Sequence, residues 1–592
     1  MSLTDFEQVS GADPGPDGRV VWISDRSGKP QPWLDGVHLP VPGAVRRCAW
    51  RPDGARLLVL TDPDGGEDHW LGELDPVTGD VEWVVAEEGV RCEVGVPYGS
   101  TGHPYSADGG LLAYASNARD PEVFDVLVRE GGESRIVLRG DDRYLPMGFS
   151  PDARLLLVLE LHQNSDHELY VVDLASDTPR RLTDHGGPAK YEPIAWLPDS
   201  SGIYLGTTRG RDFLGLATLS LAGELTWLDT PEADVEGGAL SPDGTRLAWG
   251  RNEHGYTRLS WSEVGGEPVE VTCLPTGWTI AEHGLDGHVP RFTHDNRLVV
   301  QLARGDAATE LFVVDLDAGT AERISDFGAG LPDDLVAPTV VHATGADGVR
   351  VPCLLYRPPG ASADAPAPVV MTVHGGPESQ AYPAFSPLVQ ALLAEGIGVV
   401  APNYRGSSGY GLRYQRVLYR DWGGSDLVDY AATAALVAGL DWADGSRLGV
   451  HGASYGGFAA FSCVARQPDL WRAAVSECGT SDLLTDIRNA PPTWRGRTAE
   501  WIGDPDDPAD LARLVEHSPL THAHRVRAPV LILHGENDTR VAPEESERMY
   551  RRLRELGKPA RLELHPGVGH EIDREGLPRT TALIVDWFTT HL

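Results

Sequence analysis

The 592-residue sequence predicts two unlike halves, a seven-bladed β-propeller over residues 1–335 and an α/β unit on a mostly parallel sheet over residues 336–592. Three observations lead there. A turn phrase built on Pro-Asp-Gly recurs seven times in the first half. Near residue 336 the pattern changes to apolar strand-length runs alternating with helix-length segments. Within that second half, Arg447-Leu448-Gly449-Val450-His451 runs into Gly452-Ala453-Ser454-Tyr455-Gly456 and then into a helix-like stretch at residues 458–465.

The copies of the turn phrase begin at Gly15, Arg51, Ser106, Ser150, Leu197, Ser241 and Thr293, 36 to 55 residues apart, and each leads into an apolar run such as Leu57-Leu58-Val59-Leu60. Proline presets φ, aspartate bonds its own backbone, and glycine accepts positive φ, so the phrase is a tight turn between strands. A second strand often follows, as at residues 168–174 and 310–316. One four-stranded blade cannot bury both faces, whereas a closed ring of seven can. The spacing fits propeller blades better than an all-β sandwich array.

In the second half, the apolar runs at residues 369–373, 397–401, 448–450, 473–475, 530–533 and 562–564 read as buried strands. Residues 425–438 and 544–556 carry helical spacing. Buried strands separated by helices mean a mostly parallel sheet covered on both faces. Residues 327–334 read as the linker and residues 358–368 as a surface loop.

Composition narrows the function. Hydrophobic content of 41% and charged content of 23% are those of a globular protein. No apolar run is long enough for a transmembrane helix, and the first residues lack the basic and apolar regions of a signal peptide, so a cytoplasmic protein is expected. Six cysteines without C-x-x-C pairing argue against a disulfide framework or thiolate zinc site, and no metal or cofactor is expected. A net charge of −37 argues against nucleic acid or an anionic membrane as partner. Homo-oligomers through edge strands of the second sheet are possible from the sequence.

Strand, G-x-S-x-G, helix is the nucleophile elbow of α/β-hydrolases, in which glycines permit the sharp turn that lifts the Ser454 hydroxyl into a cleft. A serine hydroxyl needs a base and an acid to orient it, in the chain order Ser, Asp or Glu, His. Asp538 follows the run at 530–533 and is the candidate acid, with Glu536 its rival. His570 sits on the glycine-rich loop Pro566-Gly567-Val568-Gly569 after the last strand and is the candidate base, whereas His565 lies at the strand end. The oxyanion is expected to meet the N–H groups of Tyr455, next to the nucleophile, and of Gly376 in His374-Gly375-Gly376-Pro377.

These features together resemble the prolyl oligopeptidase family of serine peptidases, and within it the acylaminoacyl-peptidase branch. The match is carried by His374-Gly375-Gly376-Pro377, Asn403-Tyr404-Arg405-Gly406-Ser407-Ser408-Gly409-Tyr410-Gly411, Gly452 to Gly457, Asn537-Asp538-Thr539-Arg540 and Gly569-His570. The resemblance implies a triad of Ser454, Asp538 and His570, and an oxyanion hole from Tyr455 and Gly376. It also implies a propeller that roofs the cleft and admits only short peptides or small acyl-amides. Arg540 is similar to an arginine beside the site in that branch, and Trp494 and Trp501 are candidates for the substrate pocket wall. No paired-glutamate motif that would anchor a free N-terminus, as in dipeptidyl peptidases, is found in the propeller. A dedicated amidase, esterase or acyl transferase of a small metabolite, or an idle scaffold, are the other functions this sequence allows.

Overall fold

The computed structural model describes residues 3, 6–95, 103–184, 186–279, 290–571 and 576–592. The first half forms seven four-stranded sheets, each of four consecutive antiparallel strands, spanning residues 9–38, 44–85, 92–138, 144–181, 191–229, 235–270 and 291–323. In every sheet the turn phrase joins the first strand to the second. The fourth position of all seven turns has positive φ: Gly18 83°, Gly54 72°, Gly109 73°, Ala153 54°, Ser200 62°, Gly244 72° and Asn296 60°. Glycine adopts that conformation without strain and asparagine tolerates it. Ala153 and Ser200 are held there because the aspartate before each fixes the turn, Asp152 Oδ1 accepting from Arg154 N at 3.2 Å and Asp199 Oδ1 from Ser201 N at 3.0 Å.

The strand after the turn is buried throughout in the second and fifth blades, at Leu57–Asp62 and Gly202–Thr207. The ring closes by packing. Ala12, Val299 and Leu311 form a core shared by the first and last sheets, and Gln301 Nε2 donates to Val9 O at 3.0 Å.

The second half is one eight-stranded sheet in the order Thr339–Thr344, Arg350–Tyr356, Gly398–Pro402, Ala367–Val373, Ala443–Ala453, Ala473–Glu477, Val530–Gly535 and Ala560–His565. The first two junctions are antiparallel and the remaining five parallel. Helices Pro387–Ala394 and Leu577–His591 cover one face, packing Leu392, Ile584 and Phe588 against Val370 and Leu531. Helices Ser425–Ala438, Tyr455–Arg466 and Glu544–Glu555 cover the other, around Phe458, Phe461 and Met549. This is the propeller and α/β-hydrolase architecture that the sequence predicts.

The two antiparallel strands at residues 339–356 are absent from the sequence reading. The first, Thr339–Thr344, is an edge strand with mixed exposure, and polar residues interrupt its apolar run. Among the described residues, no helix is long and apolar enough to cross a membrane.

Candidate active site

The parallel strands end in line. Val373 pairs with Gly452, Ala453 with Glu477, Glu477 with Leu533 and Gly535 with His565. The loops that follow therefore emerge at one edge, where ligands bind in open α/β sheets. Four candidate groups sit on them: Gly376, Ser454, Asp538 and His570.

Ser454 adopts φ 58°, ψ −120°, the strained turn of an elbow. Its N–H donates to Glu477 O at 2.9 Å and its carbonyl accepts from Phe458 N at 3.0 Å, so the turn is tied at both ends. The glycines around it are steric requirements. A Cβ on Gly452 would lie 2.4 Å from the Gly456 carbonyl, one on Gly456 2.0 Å from Val373 O, and one on Gly457 2.5 Å from Glu477 O. All three contacts are to backbone, which cannot step aside. Gly456→Ala is therefore expected to destabilise the protein by roughly 3 kcal/mol and to abolish hydrolysis, checked by thermal melting and activity.

Asp538 is buried, and its Oδ1 accepts from the N–H groups of Arg540 at 2.9 Å and Val541 at 3.0 Å. Its Oδ2 lies 2.7 Å from His570 Nδ1 and 3.2 Å from His534 Nε2. Burial disfavours the carboxylate, yet the hydrogen bonds from His534 and His570 hold its pKa well below the usual range. The sequence reading missed His534. Its Nε2 faces two acceptors, Val541 O at 2.9 Å and Asp538 Oδ2, and so carries the proton, which leaves Nδ1 to accept from the Ser546 hydroxyl at 2.6 Å. Its spacing of four residues before Asp538 in His534-Gly535-Glu536-Asn537-Asp538 was the available signal.

Burial disfavours the His570 imidazolium, but the Cys478 sulfur and the Asp538 carboxylate outweigh it and raise His570 to about 10. Cys478 supports the cation fully only as a thiolate. While the thiol stays protonated, Asp538 alone opposes burial and the elevation is smaller. A base must be neutral to act, so kcat/KM is expected to rise with pH to a half-point above about 6.5, the ordinary histidine value. A pH–rate profile measures this limb.

The oxyanion candidates meet at the same edge. Tyr455 is the first residue of helix Tyr455–Arg466, whose N-terminus faces outward with a positive partial charge. Gly376, with φ 121°, follows Gly375, whose added Cβ would sit 3.4 Å from Ser454 Cβ. The Asn403–Gly411 motif braces this loop: Ser407 Oγ lies 2.9 Å from His374 Nε2, Tyr404 stacks on the His374 ring at 4.4 Å, and Asn403 Oδ1 accepts from Ala381 N at 2.6 Å. Arg405, fixed by Asp429 at 2.7 Å, anchors the motif in turn.

Ser454, His570, Gly375 and Gly376 line a cavity of about 670 Å³ between the two halves. Arg540, Trp494 and Trp501 line it as well. Trp501 packs edge-on against Trp422 at 5.0 Å, and Trp422 against Tyr455 at 4.8 Å, so this wall is continuous with the elbow. The propeller supplies the roof through Glu67, Arg91, Glu93, Arg143, Gln163 and Asn164. Arg540 crosses the gap: its guanidinium pairs with Glu67 and reaches Glu571 at 3.9 Å. Glu571 also meets Arg46 of the propeller at 3.3 Å. No sequence signal marked the roof residues, because Glu67, Glu93 and Asn164 come from three different blades.

Among the described residues, two groups have metal-ligand chemistry in close reach. One is Cys478, Asp538 and His570, where the Nδ1 of His570 already serves Asp538. The other is Asp142, Glu160 and His162, in which the hydrogen bond between His162 Nδ1 and the Asp142 carboxylate raises the His162 pKa.

A serine at a strained elbow, an Asp–His pair and a roofed cavity define a serine hydrolase with a propeller cap. Residues 383–592 match the prolyl oligopeptidase family of peptidases, and the chain is a serine hydrolase. It is 27% identical to dipeptidyl aminopeptidase BIII of Pseudoxanthomonas mexicana, over 94% of this chain and 83% of that protein. It is 30% identical to the acylamino-acid-releasing enzyme of Arabidopsis thaliana, over 67% of this chain but only 49% of that protein. Among solved structures, a Mycobacterium tuberculosis puromycin-hydrolyzing peptidase superposes with a TM-score of 0.82 at 22% identity, covering 100% of this chain and 96% of that one. The Pyrococcus horikoshii acylaminoacyl peptidase superposes with a TM-score of 0.74 at 19% identity, covering 100% and 97%.

Proposed function

We propose that the enzyme cleaves short peptides near their amino end through an acyl-enzyme on Ser454. The observation that carries this reading is the 2.7 Å Asp538–His570 contact beside the Ser454 elbow, inside a cavity closed by the propeller. Ser454 Oγ attacks the scissile carbonyl while His570 takes its proton. Asp538 fixes the imidazole tautomer and stabilises its cation, and the N–H groups of Tyr455 and Gly376 receive the oxyanion. His570 then protonates the leaving amine, and water reverses the steps.

A cavity of about 670 Å³ fits a few residues, so folded proteins stay outside. Arg540, Trp494 and Trp501 are proposed to line the substrate pocket. The acylaminoacyl reading draws on the similarity to the acylamino-acid-releasing enzymes, and the free-amine reading on the longer match to dipeptidyl aminopeptidase BIII. A cytoplasmic setting is supported by six free cysteines.

The test is hydrolysis of N-acetylated, free aminoacyl and dipeptidyl anilides, with Ser454→Ala as blank. Cleavage of any of these peptide-like anilides supports the peptidase. Cleavage of none, with Ser454 still reacting with a fluorophosphonate, replaces it with a dedicated amidase, esterase or acyl transferase of a small metabolite. Rapid cutting of a folded protein contradicts the size filter.

A further inference from the structure

The charged lining of the cavity is almost fully paired. Glu67 meets Arg91 at 3.1 Å and also Arg540. Glu93 meets Arg143 at 2.7 Å and Arg91 at 3.0 Å, Glu571 meets Arg46 at 3.3 Å, and Glu477 meets His451 at 2.7 Å. Arginines hold the carboxyls of Glu67, Glu93 and Glu571 below the usual range despite their burial.

Glu378 is the exception among the described glutamates of this cavity. It is 4% exposed and lies two residues beyond Gly376. Two neutral donors, Gln415 Nε2 and the Tyr419 hydroxyl, both reach Oε1 at 2.9 Å. Its Oε2 is buried and accepts no hydrogen bond, although the Asn164 amide lies near enough to favour the carboxylate. Lys190 acts on it from beyond ion-pair contact and is itself bound to Glu192 at 3.0 Å. Burial without a cationic partner pushes the Glu378 carboxyl up. A buried carboxylate oxygen with no partner is costly in an apo site. A ligand cation supplies what is missing.

We propose that Glu378 docks a substrate ammonium group, its free Oε2 pairing with the α-amino group of a peptide or the side chain of a lysine. The inference rests on the peptidase reading above and names its substrate class. Both halves of the chain build the site. The Tyr419 hydroxyl that orients Glu378 also lies 2.7 Å from Ser165 Oγ, and Gln163 and Asn164 on the same propeller hairpin line the cavity. The dipeptidyl-peptidase type of amine anchor, paired glutamates in the propeller, is absent from the sequence reading. Here the acid stands on the oxyanion loop instead, where a bound ammonium is registered directly against the scissile carbonyl.

The experiment compares kcat and KM of wild type and Glu378→Gln on matched anilides: free aminoacyl against N-acetyl-aminoacyl, and N-acetyl-lysyl against N-acetyl-norleucyl. In wild type the ammonium-bearing member of one pair is expected to be cut at least tenfold better. Glu378→Gln is expected to raise its KM about 10- to 100-fold, leave kcat within a few fold and spare the neutral member, erasing the preference. A free-amine effect identifies the α-amino group, and a lysyl effect the side chain. Equal loss in both members of each pair, or no change, overturns the proposal.

If Glu378→Gln fails to fold, competitive inhibition of wild type by an amino-acid amide and by its N-acetyl form decides. At least tenfold tighter binding of the ammonium form supports the anchor, and equal binding overturns it. If wild type cuts no anilide, the peptidase reading fails by itself. The anchor is then read from calorimetry of the same two amides on Ser454→Ala, with the same two outcomes.

Discussion

Ser454→Ala is expected to lower kcat/KM on every hydrolysed anilide by at least about 10⁴-fold. In the proposed acyl-enzyme the hydroxyl is the atom that carries the acyl group, and neither His570 nor the candidate oxyanion donors replace it. What remains is the rate supported by bound substrate and the two N–H groups acting on attack by water. The fold is expected to survive. The φ of 58° at position 454 is imposed by the elbow, alanine meets it as serine does, and both tying hydrogen bonds come from the backbone. A thermal midpoint near that of wild type, with activity at the blank, is the expected pair of readings. A loss under tenfold removes Ser454 from the role of nucleophile.

Asp538→Asn is expected to cost about 10³- to 10⁴-fold in kcat. Four donors converge on this carboxylate: the N–H groups of Arg540 and Val541, and the rings of His570 and His534. An amide keeps the shape but turns one acceptor into a donor. Facing His570 Nδ1, that NH₂ forces the proton onto Nε2 and leaves the wrong tautomer toward Ser454. Facing the backbone, it opposes an N–H instead.

Stability follows the same sign. The Asp538 pKa is lowered from 3.8, so the stability it contributes is present above that value and is lost as pH falls below it. Asp538→Asn is thus expected to melt earlier than wild type at pH 7, with the difference closing in strong acid. Wild-type kcat in the variant excludes Asp538 as the orienting acid.

Much of the molecule is legible in its sequence. The turn phrase disclosed the blades because each copy needs the same positive-φ fourth residue, a backbone demand few residue types meet. The elbow disclosed itself because Gly452, Gly456 and Gly457 each face a backbone oxygen or carbon within 2.5 Å of an added Cβ. Asp538 and His570 followed from chain order and the strands before them.

The roof was not legible. Glu67, Glu93 and Asn164 come from separate blades, and only ring closure brings them over Ser454. His534 hid as an ordinary buried histidine inside an apolar strand. Cys478 sits under His570 at the end of a strand that carries no motif. Glu378 follows a glycine turn in sequence, and its meaning lies in what it lacks, a cationic partner, which only three-dimensional neighbours reveal.

The most direct measurement is titration of the protein with a fluorophosphonate, with the adduct mapped by mass spectrometry and residual anilide hydrolysis read in parallel. One adduct on Ser454, accumulating in step with the loss of activity and absent from Ser454→Ala, is the expected result. An adduct on another residue, or full activity once Ser454 is completely labelled, contradicts a Ser454 acyl-enzyme.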